Sequence, residues 1–320
     1  MSSNHVWIIG AGGLLGSALT LELSGDERFT MLPNQTITWA DVNQVTQVFE
    51  RSFQQLMIQA ATAPWTVIWA AGHASTSNTR DETAQELETL QILIDVINQN
   101  GINGQGTFFL TSSVGGVYAG SQHPPFTIDT DPNPLSAYGE LKLAQENLVK
   151  EQLTRTCRVV VGRISNLYGP GQDISKLQGV ISQLAVSALT KKPLRIFVPL
   201  DTMRDYIYVE DAAKTIIRLL LCTSKTLSTH IVASGLSVSL GYVIQLAQVI
   251  FRTRIPLSVG SHSSAAAQAR DLRITPTASP ENFAATTLPV GIKNVYLDIL
   301  HQRQEARPRS PGPAPARMGS

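Results

Sequence analysis

The sequence predicts an α/β protein: a doubly wound parallel sheet with helices on both faces and a smaller, interleaved C-terminal lobe. Three observations carry this. Strand-like and helix-like stretches alternate through the first half of the chain. The strand-like stretches are rich in β-branched and aromatic residues, as strands buried on both faces require. A glycine-rich turn joins the first strand to the first helix.

His5–Ile9 reads as a short buried strand and Leu14–Ser24 as a helix. Phe29–Leu32 is a weak second strand. Val45–Gln59 is helical, and Thr66–Ala70 is a strand. Thr83–Asn100 is a long helix that Gly101 can terminate. Its residues Leu87, Leu90, Ile94 and Ile97 form one apolar stripe, which Ile92, Leu93 and Val96 widen. A surface helix needs only one stripe. Either a second subunit covers the rest, as in a homodimer, or the helix is well buried within the monomer. Thr107–Thr111 is a strand, Ala137–Gln152 a helix and Arg158–Ile164 a strand.

Beyond about Asn166 the pattern loosens. Leu177–Leu189 and Tyr242–Phe251 are amphipathic helices among short strands and loops. The expected layout is a first domain over 1–165, with 205–235 returning to it. The lobe then comprises 166–204 and 236–301. From Gln302 the chain is Pro/Arg/Ser-rich without apolar periodicity, and a disordered tail is expected.

Composition narrows the function. With 320 residues, 43% hydrophobic and 15% charged, the chain can bury a sizeable core. A net charge of +1 offers no attraction to nucleic acid or to an acidic membrane surface. No apolar run is long enough to cross a bilayer, and the N-terminus carries no targeting pattern, so a cytoplasmic protein is expected. Cys157 and Cys222 lie in apolar surroundings and read as small buried hydrophobes. Neither they nor the six histidines have metal-site spacing, so no metal is expected.

Gly10, Gly13 and Gly16 form G-x-x-G-x-x-G between strand and helix. A pyrophosphate needs a tight turn, close backbone approach and amide donors at a helix N-terminus, and this arrangement supplies them. The acid that usually meets the adenosine ribose, at the end of the second strand, is missing from FTMLPNQ, and no arginine follows. NAD and NADP therefore both stay open. Asp41 has two readings, beside the adenine or as the N-cap of the next helix.

Tyr138 and Lys142 are spaced Y-x-x-x-K, which puts both on one helical face behind the capping Ser136. A nearby ammonium favours the phenolate, so Tyr138 suits general acid/base work at a carbinol. An exposed helical pair is the alternative. Ser112 and Ser113 follow the TFFLT strand, where parallel sheets meet ligands, although serines before glycines are often simply a loop.

In this order Gly10-x-x-Gly13-x-x-Gly16, WAAG at 69–72, SSVGGVY at 112–118 and Tyr138-x-x-x-Lys142 resemble the extended short-chain dehydrogenase/reductases. RISNLYGPGQ at 163–172 and RDYIYVEDAA at 204–213 resemble two segments of the same family, so the likeness covers about residues 5–300. It implies a Rossmann-type fold binding NAD, with NADP not excluded. It implies Ser113, Tyr138 and Lys142 as the catalytic set, Ser113 rather than Ser112 because it falls just past the strand. Gly10, Gly13, Leu14, Leu15, Gly16, Asp41, Val42, Ala70, Ala71 and Gly72 would meet the cofactor, together with Tyr138 and Lys142. Asn166 and Arg204 would meet a substrate diphosphate, as would Arg270 in AQARDLRI, with Ser113 also touching the sugar. An arginine fork suits phosphate. For Arg204 an ion pair with Asp205 or Glu210 is the alternative, and for Asn166 a turn.

The resemblance also limits the reaction. Val114 and Gly115 stand where sugar 4,6-dehydratases carry an acidic pair, and the Cys/His pair of 3,5-epimerases is missing. A 4-epimerase or a 4-keto reductase acting on a nucleotide-diphosphate sugar remains. Outside enzymes, a cofactor-sensing protein remains, because fold does not imply function. The short stretch between the glycine turn and Asp41 implies that one sheet element is reduced or lost.

Overall fold

A computed structural model describes residues 3–72, 74, 78–101, 105–174, 179–222, 225–260, 268–280 and 284–305. In chain order its first half comprises β1 (Asn4–Ile9), α1 (Leu14–Ser24), β2 (Phe29–Met31), α2 (Val42–Ala60), β3 (Trp65–Trp69) and α3 (Arg80–Asn100). β4 (Gly106–Ser113), the single-turn α4 (Val114–Val117), α5 (Ala137–Leu153) and β5 (Arg158–Ile164) complete it. The second half has β6 (Asn166–Tyr168), α6 (Val180–Thr190), β7 (Leu194–Ile196), β8 (Met203–Tyr208), α7 (Val209–Cys222) and β9 (Leu227–Val232). It ends with β10 (Ser237–Ser239), α8 (Leu240–Phe251), β11 (Leu257–Val259) and α9 (Leu288–Glu305).

Six parallel strands form the main sheet, in the order β2-β1-β3-β4-β5-β9. Alternation along each strand sends side chains to opposite faces. In β1, Trp7 and Ile9 join Phe49, Phe53, Leu90 and Ile94 of α2 and α3. Val6 and Ile8 join Leu19 of α1 and Ala212 and Ile216 of α7 on the other face. The sheet is thus covered on both sides, and its strands are correspondingly apolar throughout.

The lobe is built on β10-β8-β6, with α6, α8 and α9 around Tyr168, Leu184, Val243, Ile244 and Ile292. β7 pairs with β11 beside it. Between 205 and 235 only α7 and β9 return to the main sheet, whereas β8 stays in the small sheet. The shortening after the glycine turn is visible as a sheet that ends at the three-residue β2. Among the described residues no further strand lies between β2 and α2.

Several boundaries move for identifiable reasons. α2 starts at Val42 because the Asp41 carboxylate accepts the Gln44 backbone N–H at 3.1 Å. α3 starts at Arg80 because Thr79 and Glu82 form a reciprocal capping box. β4 runs two residues further than expected, through Ser113, because it keeps pairing with β5. α6 covers Val180–Thr190; Leu177 and Gln178 of the expected helix lie outside the described residues. The expected tail is corrected at its start: Gln302–Glu305 is the last turn of α9. Residues 306–320 lie outside the described residues. Cys157 is buried, and burial pushes its thiol up to about 12. Cys222, at the end of α7, is exposed, contrary to the expectation.

On α3, Leu90, Leu93, Ile94, Val96 and Ile97 are buried by the monomer itself, and Ile92 packs against the same core.

One buried ion pair ties the strand ends together. Glu146 of α5 accepts Arg163 Nε at 2.9 Å and Nη2 at 2.8 Å, and Ser112 Oγ at 2.7 Å. Lys150 adds a fourth donor at 3.0 Å. Burial raises the Glu146 pKa, but the Arg163 hydrogen bonds and charge outweigh it and hold the carboxyl below its ordinary 4.5. Its stabilisation is therefore complete above the ordinary value and lost as pH falls through the native one. Glu146→Ala leaves Arg163 buried without its counter-charge. It should lower the unfolding free energy by about 3–5 kcal/mol in urea titrations near neutral pH, and by progressively less as the pH is lowered.

Candidate active site

The C-terminal ends of β1, β3, β4 and β5 open into a cleft of about 1240 Å³ between the sheet and the lobe. Its mouth begins at the glycine turn. Gly10 has φ +88°, and a Cβ there would lie 2.6 Å from Ala71 N. A Cβ on Gly16 would lie 2.1 Å from Gly10 O. The turn and the first turn of α1 close directly on the end of β3, which only these glycines permit. Gly12, Gly13, Leu14 and Leu15 line the cleft together with Ala70, Ala71 and Gly72. The N-cap of α1 is Gly13, with no capping side chain, so the first amides of the helix keep their capacity for an anion.

On the inner wall stand Ser113, Tyr138 and Lys142. Their meeting rests on a close contact between α4 and α5. A Cβ on Gly139 would lie 2.3 Å from Gly116 O, and one on Gly116 would lie 3.2 Å from the Tyr138 ring. The glycines of SSVGGVY thus serve helix packing as well as a turn. Ser136 caps α5 through Gly139 N at 3.2 Å. Ser113 is the last residue of β4 rather than the first beyond it, and it caps α4. Its hydroxyl oxygen accepts Gly116 N–H at 3.1 Å, which leaves the hydroxyl proton available for a ligand oxygen. Ser112, by contrast, spends its hydroxyl on Glu146.

Lys142 is 5% exposed, with its ammonium 5.7 Å from the Tyr138 ring centroid. It donates to Gln145 Oε1 at 3.0 Å and to Glu86 Oε1 at 3.3 Å. Burial raises the Glu86 pKa, but Lys142 and hydrogen bonds from Ala74 N and Gln145 leave the carboxyl below its ordinary value. Glu86 is therefore a carboxylate at neutral pH. Neither Glu86 nor Gln145 stands out in the sequence, because both are polar residues on helices with nothing local to distinguish them.

The opposite wall comes from the lobe. Asn166 and Arg204 line it, joined by Tyr206, Arg195 and Gln183. β6 and β8 pair with Asn166 opposite Tyr206, which brings the two expected anchors to one edge. Asn166 Nδ2 donates to Asp205 O at 2.9 Å. Arg204 Nη1 donates to Met203 O, and among the described residues no carboxylate pairs with it. Burial lowers its pKa, the mark of a cation short of a counter-charge. Asp205 is engaged instead by Ser165 and Ser234.

Three expected positions lie elsewhere. Arg270 is exposed, paired with Asp201 on the surface, while Gln268, Ala269 and Leu272 line the cleft from that segment. Asp41 is the exposed helix cap described above, and Val42 is 52% exposed. The residues just before them, Trp39 and Ala40, line a second hollow of about 260 Å³ with Trp69, Gln85 and Glu86. It shares Ala71, Gly72 and Ala74 with the main cleft.

Among the described residues no cluster of His, Cys, Asp or Glu could hold a metal ion. Nor is any helix long and apolar enough to cross a membrane.

Comparison with known proteins agrees with this geometry. The profile of the NAD dependent epimerase/dehydratase family matches residues 6–232. A dTDP-L-rhamnose 4-epimerase from Burkholderia thailandensis is 29% identical over 123 residues, 38% of this chain and 33% of that protein. A dTDP-4-dehydro-6-deoxyglucose reductase from Escherichia coli is 34% identical over 113 residues, 34% of each chain. The matched stretches span about a third of the length of these relatives. The crystal structure of a UDP-glucose 4-epimerase with UDP-glucose from Thermotoga maritima superposes with a TM-score of 0.79 at 19% identity, covering 94% of this chain and 99% of that one. That likeness shows a shared fold.

Gly16→Ala places its Cβ against Gly10 O and must open the turn. The variant should stay folded by circular dichroism yet bind NAD at least about tenfold more weakly, by calorimetry, than the unsubstituted protein.

Proposed function

We propose that this chain, which belongs to the NAD dependent epimerase/dehydratase family, is a nucleotide-sugar 4-epimerase. The observation that carries the reading is the cleft itself. It sets Ser113, Tyr138 and Lys142 on one wall and the unpaired Arg204 with Asn166 on the other. A reactive end facing an anion-binding end suits a sugar joined to a nucleoside diphosphate.

NAD fits the open side of the glycine turn, where a Cβ at Gly10 or Gly16 would fill the approach. Gly12, Gly13, Leu14 and Leu15 would hold its pyrophosphate, and Tyr138 and Lys142 its inner ribose. The hollow at Trp39 and Ala40, which Asp41 and Val42 follow in the chain without lining it, is of a size for adenine. The second strand offers neither an acid for a 2′-hydroxyl nor a cation for a 2′-phosphate and does not choose between the two; membership of an NAD dependent family supports NAD. When bound, NAD accepts a hydride from the sugar C4 and later returns it.

The residues of this chain manage the proton. As general base, Tyr138 takes the proton from the C4 hydroxyl while C4 loses its hydride, giving a 4-keto sugar. The Lys142 ammonium, 5.7 Å from the Tyr138 ring centroid, places its positive charge beside the group that handles the proton. Ser113, its oxygen already accepting Gly116 N–H, donates to the reacting oxygen and holds it in line. Arg204 and Asn166 grip the diphosphate away from the reaction, so the ketone can turn its other face without leaving. Return of the hydride and of the Tyr138 proton gives the inverted carbinol.

A 4-keto reductase uses the same residues and differs in releasing the oxidised cofactor each turnover. The Escherichia coli relative supports this second reading. A homodimer built through α3 would cover Leu87, which the monomer leaves half-buried.

Tyr138→Phe should lower kcat on UDP-glucose or a dTDP-sugar by at least about a thousandfold while calorimetry shows NAD binding nearly unchanged. Near-normal turnover would remove Tyr138 from the mechanism. Arg204→Ala should raise KM for the sugar nucleotide by about tenfold or more, with NAD affinity unaffected.

A further inference from the structure

Glu86 has no part in the reaction just described, yet its carboxylate lies against the residue on which that reaction depends. It projects from α3, its side chain 12% exposed, at the point where the two hollows join beside Gly72. A Cβ on Gly72 would lie 3.2 Å from Glu86 Oε1, so the carboxylate packs on the strand end itself. Among the described residues it is held by Lys142 Nζ at 3.3 Å, Gln145 Nε2 at 3.1 Å and Ala74 N at 3.3 Å. Gln145, wholly buried, also accepts from Lys142 at 3.0 Å.

An ammonium has three N–H bonds and no preferred direction about its flexible stem. Here two of the three are taken, by Glu86 and Gln145, which are joined to each other by a hydrogen bond. The triangle fixes the ammonium by contacts from two different helices, α3 and α5. Among the described residues the third N–H has no acceptor and is left for the cleft side, where Tyr138 stands. The carboxylate also supplies the counter-charge that an ammonium at 5% exposure needs.

We propose that Glu86 is a positioning residue for Lys142: with Gln145 it aims the ammonium at Tyr138 and at the cofactor side of the cleft. This rests on the enzymatic reading above for its consequence, but not for its geometry. α3 contributes no group to the reacting atoms. Its share is to orient a lysine borne by its neighbour.

Glu86→Ala and Glu86→Gln separate the possibilities, because glutamine keeps an acceptor oxygen of the same reach. Three quantities are compared in the full chain: the rate of Lys142 acetylation by acetic anhydride, followed by mass spectrometry with Lys150 as reference; NAD affinity by calorimetry; and the melting midpoint. Glu86→Ala should raise Lys142 labelling about fivefold or more and weaken NAD binding about tenfold. Its melting midpoint should fall, since Lys142 loses its counter-charge, and Glu86→Gln, which restores the acceptor but not the charge, should keep the lower midpoint while reversing most of the change in labelling and in NAD binding. On a sugar nucleotide the alanine variant should lose kcat rather than gain KM. Unchanged labelling of Lys142 in Glu86→Ala would overturn the proposal, whatever the enzyme does. So would a loss of NAD binding that only tracks a falling melting midpoint. If labelling responds as expected while the unsubstituted protein neither binds NAD nor turns over a sugar nucleotide, the positioning role stands and the enzymatic reading fails.

Discussion

The carboxylate of Glu146 is the constraint on which the site depends. It reaches from α5 to Arg163 on β5 and to Ser112 on β4, with no exposure to water. A buried pair of this kind adds little net stability over an apolar substitute, because both ions are desolvated. What it supplies here is register. The helix bearing Tyr138 and Lys142 is locked to the two central strands, and the paired hydroxyl of Ser112 sets which serine is left facing the cleft. Arg163 also donates to Tyr118, which extends the same network beneath α4.

On this frame the two walls of the cleft differ in electrical character. The inner wall is self-contained: Lys142 has Glu86 and Gln145, and Ser113 has Gly116. The outer wall is not. Arg204 is half-buried and forms no ion pair with a carboxylate among the described residues, although the charge of Asp271 reaches it from a distance. Burial also pushes the neighbouring Tyr206 hydroxyl up to about 12, so it remains a neutral donor beside that cation. Charge matching is left to the ligand at one end of the cleft and completed by the protein at the other. This division fits binding at one end and proton transfer at the other.

Most of the sheet was legible because its signals are local. Val67, Ile68 and Trp69, or Val159, Val160 and Val161, declare a strand buried on both faces wherever they occur in space. The glycine turn and the Tyr138–Lys142 spacing are equally short-range. The errors came where a distant partner decides. Ser113 belongs to β4 because β5 continues beside it, and Cys222 ends its helix exposed to water. Arg270 looked like a ligand arginine from its neighbours in sequence, but Asp201, 69 residues away, holds it at the surface.

The sequence by itself therefore determined the order of elements, the parallel sheet, the glycine turn and the placing of Tyr138 and Lys142 on one helical face, all of which depend on hydrophobic period or spacing within one turn of chain. Only the tertiary structure decided that Ser112 is spent on Glu146, that Arg204 forms no ion pair with a carboxylate among the described residues, and that Glu86 sits on Lys142. Those outcomes follow from contacts between residues 34 to 56 positions apart, or from the exclusion of water by a whole wall of side chains, and neither leaves a local mark.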